Sequence, residues 1–147
     1  MNAGPILQAH LDQMTDCAMR ADYAGYRTGF ALPLSIITTT TTQLVTSEEE
    51  LRLGFEEFAL MLQVQGITNC IRLVSTAQRL EDLLICGTYF SHLIVGGTRI
   101  LPPVTSQVVL RHDPVHGWRT VCVANGVAGR ISSANWVQER PPKGDTA

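Results

Sequence analysis

The sequence predicts an α+β fold, with helices packed on one face of a curved antiparallel sheet. Three observations predict it. Apolar residues recur at helical spacing only within residues 5–21 and 48–65. From Asn69 onward the apolar pattern has period two, the mark of half-buried strands. Helical and strand segments are segregated rather than alternating, which argues against a parallel βαβ sheet.

The first helix is expected over residues 5–21. Pro5 suits a first turn, and Leu7, Leu11, Met14, Ala18 and Ala21 make one apolar stripe. Asp12, Gln13, Asp16 and Arg20 occupy mostly the other face, so Asp12 and Asp16 read as a solvated helix face. Asp22 can cap a short second helix from Tyr23 to about Gly29. Phe30 to Leu34 is extended, because the residue before Pro33 disfavours the helical region. Residues 34–46 include five consecutive threonines, Thr38 to Thr42, whose branched side chains fit a pleated surface. This segment is one long strand or a hairpin turning near Thr40, and no Gly, Asn or Pro decides between them.

Ser47-Glu48-Glu49-Glu50 is a capping box that places three acids at the positive end of a helix. That helix should run from about Glu48 to Gln65, burying Leu51, Phe55, Phe58, Ala59 and Leu62, with Gly66 after its end. Gly54 costs about 1 kcal/mol there relative to alanine. A close approach of the helix to the sheet is one reason for its presence. Strands follow at Cys70–Gln78, Leu83–Val95, Val104–His112 and Trp118–Asn125. Their turns fall at Arg79–Asp82, at Gly96-Gly97 with Pro102-Pro103, and at Asp113–Gly117. Ile131 to Val137 reads as a short strand or a segment packing through Trp136. Residues 1–138 are taken as one domain and residues 139–147 as a mobile tail.

The chain has 147 residues, enough for one domain that buries roughly 68–70% of its unfolded surface. Its 45% apolar and 16% charged content excludes a disordered chain. A net charge of −2 offers no basic excess to follow a nucleic-acid backbone. No apolar run approaches the ~20 residues of a membrane span. The first residues lack the pattern of a signal peptide. Cys17, Cys70, Cys86 and Cys122 stand far apart in apolar settings, which suggests free buried thiols and a reducing, cytoplasmic location. His112 and His116 are four apart, but Pro114 and Gly117 make the segment a turn with no third ligand nearby, so no metal site is expected. No phosphate-binding glycine loop, serine elbow or nucleotide fingerprint occurs, and no cofactor is expected.

Three stretches carry a resemblance: TSEEELRLGFEEF, GTYFSHLIVGGTRILPPVTSQVVLRHD and GWRTVCVAN. In this order they resemble the nuclear transport factor 2-like superfamily, also called SnoaL-like or cystatin-like, over about residues 5–127. The resemblance implies a cone-shaped half-barrel wrapped around the N-terminal helices, with the cone serving as a ligand cavity or catalytic pocket. It also implies a homodimer through the outer sheet face. Relatives include isomerases, cyclases and dehydratases, as well as pure binders and small subunits, and fold alone does not choose among them.

An isomerase-like base would be a carboxylate at the first strand, where this chain has only Phe30-Ala31-Leu32-Pro33-Leu34-Ser35-Ile36. The titratable candidate for catalysis is therefore His92, mid-strand among Tyr89, Phe90 and Ile94. Period two groups His92 with Phe90 and Ile94, and Tyr89 with Ser91 and Leu93. Which set faces the cone stays open, and His92 is either a pocket residue or a half-buried imidazole at a dimer face. Arg72, mid-strand, needs a partner: Glu81 or a ligand carboxylate. Tyr23 and Tyr26 either hang over the cone mouth or pack. Tyr89 shares the His92 strand, and Asn125 either reaches the mouth or serves the Asn125-Gly126 turn. The expected function is binding of a small hydrophobic or aromatic molecule. The alternatives are an isomerase, cyclase or dehydratase using His92, and a non-catalytic structural subunit.

Overall fold

The computed structural model describes residues 2–99 and 103–126. The chain runs α1 (Ala3–Met19), α2 (Tyr23–Arg27), β1 (Phe30–Ile37), β2 (Thr42–Val45), α3 (Glu48–Val64), β3 (Asn69–Leu80), β4 (Leu84–Val95), β5 (Thr98–Arg99), β6 (Val104–Asp113) and β7 (Gly117–Asn125). The expectations for residues 131–137 and for the 139–147 tail lie outside the described residues.

The local rules explain where the elements start and stop. In α1 the predicted stripe is buried as far as Ala18, with Leu7 wholly inaccessible and Leu11, Met14 and Ala18 nearly so, whereas Ala21 lies past the helix end and is exposed. The helix ends with Ala21 at φ 55°, while the Asp22 N–H donates to Cys17 O and the Ala21 N–H to Ala18 O. This is the two-bond C-terminal motif usually built on glycine, here carried by alanine. Asp22 then caps α2 by accepting from the Gly25 N–H. At α3 the Ser47 hydroxyl accepts from the Glu50 N–H, and the Glu50 carboxylate reaches back to the Thr46 N–H and hydroxyl. The α3 helix closes at Gly66 (φ 68°), with Ile67 N–H donating to Leu62 O.

The threonine run is a hairpin. Ile37 pairs with Thr42, and residues 38–41 form the loop. Its turn is built from hydroxyls: Thr38 Oγ1 accepts from the Thr41 N–H at 3.0 Å and meets Thr41 Oγ1 at 2.7 Å. Threonine side chains thus supply what Asn or Gly would otherwise provide.

The strands form one sheet in the order β2-β1-β7-β6-β4-β3, with β5 pairing β4. Pairings are antiparallel except β1 beside β7, which is parallel, so the sheet is mixed. Register shifts at Val74/Thr76, Val109/Leu110 and Phe30/Ser35 bend the strands. The sheet is curved and unclosed, with α1 and α3 on its concave side. Burial alternates along β4: Ile85, Gly87, Tyr89, Ser91 and Leu93 are buried, and the residues between them are half-buried. Leu7 and Leu11 pack on Ile85, Val108 and Leu110, while Phe55 and Leu62 of α3 pack with Ala18, Cys70 and Leu93.

The close helix–sheet approach is made by Gly87, not Gly54. A Cβ at Gly87 would stand 2.3 Å from Leu7 Cδ2 and 2.9 Å from the Thr76 carbonyl oxygen. A Cβ at Gly54 would meet nothing within 4 Å. All four cysteines are free thiols, Cys17 and Cys70 buried and Cys86 and Cys122 half-buried. No helix among the described residues is long and apolar enough to cross a membrane.

Candidate functional site

A cavity of about 280 Å³ opens between the concave sheet face and the helices. Leu11, Met14, Phe30, Leu34, Phe55 and Val108 supply much of its apolar wall. A few polar groups converge on it: His10, Tyr26, Arg72, Tyr89, Thr120 and Asn125.

His10 comes from α1, and its Nε2 lies 2.9 Å from the Thr120 hydroxyl of β7. Burial, reinforced by the Arg72 cation, pushes its pKa down to about 4, so the imidazole is neutral at pH 7. Tyr26 projects from α2 between Phe30 and Phe55, with ring centroids 4.7 Å from each. Burial pushes its phenol up to about 12.

Arg72 stands on the edge strand β3. The Gln8 side chain staples that strand to α1, donating to Arg72 O at 2.7 Å and accepting from the Val74 N–H at 3.0 Å. The guanidinium carbon lies 5.6 Å from the Phe58 ring centroid and 5.9 Å from that of Tyr89. Its Nε donates to Ser91 Oγ at 3.4 Å and its Nη1 to Thr15 Oγ1 at 3.5 Å, both long. No carboxylate among the described residues forms an ion pair with it. The expected Glu81 partner sits in the β3–β4 turn, nine residues farther along the chain, and does not meet it. Asn125, at the end of β7, is buried and accepts from the Ser106 hydroxyl.

The structure therefore brings together Tyr26, Arg72, Tyr89 and Asn125, and leaves out His92 and Tyr23. His92 alternates with the buried Tyr89, Ser91 and Leu93, so it lies on the opposite face of β4 from the cavity. Tyr23 turns its hydroxyl to the Glu48 carboxylate, which also receives Arg27 Nε at 2.7 Å, while Arg52 lies over its ring at 4.5 Å. His112 stacks edge-on against Trp118, and His116 bonds back to Asp113, so the two do not converge. No group of three metal-ligating side chains occurs among the described residues.

The sequence reading missed His10, Thr120 and Gln8. A signal for His10 was present: it stands three residues after Leu7 and four before Met14, on the buried stripe itself. Thr120 and Gln8 carry no comparable mark.

No protein-family model matches the sequence, and no curated protein matches it. Solved structures do match. A domain of unknown function with a cystatin-like fold from Nostoc punctiforme superposes with TM-score 0.63 at 15% identity, over 86% of this chain and 78% of that one. A proposed ketosteroid isomerase from Shewanella frigidimarina gives 0.60 at 13% identity, over 80% and 92%. A nuclear transport factor 2-like protein from Novosphingobium aromaticivorans gives 0.59 at 14% identity, over 90% and 86%. At such identities the likeness speaks for architecture alone. The chain has the cystatin-like fold of nuclear transport factor 2-like proteins.

Proposed function

We propose that this protein binds a small hydrophobic or aromatic molecule in the hollow of its sheet. One observation carries the reading: an open cavity of about 280 Å³, walled mostly by apolar side chains with a few convergent polar groups. That is the usual make-up of a small-molecule site, at the lower edge of the ~300–1,000 Å³ range. A structural subunit whose cone is filled by its own side chains would lack it.

Acid–base chemistry as an isomerase, cyclase or dehydratase has weaker support. A general base works best with a pKa near the operating pH. His10, at about 4, is a feeble base, and Tyr26, at about 12, is a feeble acid. Both suit recognition better than proton transfer at pH 7.

The proposal extends to a homodimer paired through the outer sheet face, where Ile71 and Leu73 of β3 are exposed by 36% and 49%. Sedimentation at micromolar concentration tests that part. Four free thiols suit a reducing compartment.

The test of binding uses the neutral fluorophore N-phenyl-1-naphthylamine and the variant Gly54→Leu. Gly54 lines the cavity with open space beside it. A leucine there adds bulk at the cavity lining and favours the helix by up to about 1 kcal/mol. Wild type should show saturable fluorescence, and Gly54→Leu should lose at least tenfold in affinity without a lower melting temperature. Equal affinity in the two proteins, or no saturable binding to wild type, would overturn the reading.

A further inference from the structure

We infer that the ligand of this cavity is a monocarboxylate with an apolar or aromatic body, its anionic head seated on Arg72. The inference rests on the reading of the hollow as a ligand pocket and adds the chemical class of the occupant.

Arg72 is the centre of the argument. Guanidinium offers five N–H donors. Two are used here, in long bonds to Ser91 and Thr15, and three have no partner among the described residues. The rings of Phe58 and Tyr89 lie against the cation, so recognition is left to its N–H edge. Arg72 is partly buried, lines the cavity and has no counter-ion among the described residues. A cation removed from water without an anion is costly, and an arriving carboxylate would offset that cost through paired, charge-assisted hydrogen bonds.

The surrounding groups narrow the charge of the ligand to one. His10 is neutral at pH 7, so Arg72 is the single positive charge among the described lining residues. Glu50 and Glu57 also line the cavity, both from α3. Glu50 is committed to Thr46 and Ser47 at the helix start. A dianion such as a phosphate monoester would leave one charge uncompensated in a confined space and meet repulsion from these acids. A carboxylate matches the single cation, and the apolar wall built by Leu11, Met14, Leu34 and Val108 takes the body.

Three probes on one naphthalene body test this by calorimetry: naphthalene-2-carboxylate, its isostere naphthalene-2-carboxamide, and 2-naphthyl phosphate. Wild type should bind the carboxylate about tenfold or more tighter than the carboxamide. The phosphate should bind more weakly than the carboxylate. Arg72→Gln should erase the preference for carboxylate over carboxamide. Arg72→Lys, which keeps the charge without the planar fork, should retain part of the preference. It also serves if Arg72→Gln fails to fold.

Equal wild-type affinity for carboxylate and carboxamide, or a preference that survives in Arg72→Gln, overturns the assignment to Arg72. The hollow then stands as a site for neutral molecules. Tightest binding by the phosphate overturns the monoanion class. No binding of any probe overturns this inference, and the pocket reading falls with it where N-phenyl-1-naphthylamine also fails to bind.

Discussion

Acidification should weaken this fold, and His10 carries a part of that loss that can be isolated. Its pKa is about 4 in the folded protein, held down by burial and then by Arg72, against an ordinary value of 6.5. Between those values the unfolded chain carries a proton on His10 that the folded chain does not. Stability therefore rises with pH across this window, and it is lost as pH falls from 6.5 toward 4. At about 1.4 kcal/mol per pH unit the ceiling is about 3 kcal/mol, of which about 2 kcal/mol is gone by pH 4.5. Below pH 4 both states are protonated and His10 contributes no further loss. The perturbation is His10→Gln, which keeps a polar group facing Thr120 Oγ1 but cannot titrate. The assay is urea unfolding of both proteins at several pH values between 7 and 4.5. Glu48, Glu50 and Asp113 also have carboxyls held below the usual range, by hydrogen bonds from Arg27, Thr46 and His116 respectively, and they are common to both proteins. The difference between the two curves isolates His10. Wild type should lose about 2 kcal/mol more than the variant over this range. Curves parallel within about 0.5 kcal/mol, or a His10 ring that titrates near 6.5 by NMR, would refute the reasoning.

Four further outcomes are expected. Gly87→Ala should destabilise by about 1–3 kcal/mol in urea unfolding, because its Cβ meets the Thr76 backbone as well as Leu7. Ala21→Gly should stabilise by about 1 kcal/mol in the same assay, since alanine sits there at φ 55°. Ser47→Ala should cost about 1 kcal/mol by removing the acceptor for the Glu50 N–H. His92→Gln should leave affinity for N-phenyl-1-naphthylamine within about twofold, and a tenfold loss would place His92 in the site.

Local physics made most elements legible from residues alone. The Ser47 cap, the Gly66 stop and the α1 stripe from Leu7 to Ala18 each depend on neighbours within one or two turns, and the structure has them where the sequence implies, with Ala21 alone of the stripe falling past the helix end. The hairpin at Thr38–Thr41 was ambiguous because its turn is stabilised by hydroxyls, and threonine is equally at home in the strands on either side. The parallel pairing of β1 with β7 was hidden, since it joins residues 30–37 to residues 120–124 and nothing in either segment specifies parallel or antiparallel. Of the site, Arg72 was conspicuous as a charge amid period-two apolar residues. His92 drew attention for the same reason, yet alternation alone assigns two sets and not their direction. Only the packing of α1 with Tyr89 and of α3 with Leu93 decides which set turns inward. His10 was overlooked because a histidine on an apolar stripe looks like ordinary core until the strand bearing Thr120 is placed beside it.

β7 lies between β1 and β6, and it is the last of the described strands to leave the ribosome. Until residues 117–125 emerge, β1 and β6 have no neighbour on the side where β7 will lie, and nothing joins β2-β1 to β6-β4-β3. Bringing them together requires the strand pairing most distant in sequence among the described residues, β1 with β7, a topology that folds slowly. The imidazole of His10 has no Thr120 hydroxyl to meet until that moment, so the part of the cavity wall that β7 supplies is completed last. Throughout that delay the two bare edges stand open to strands of neighbouring molecules.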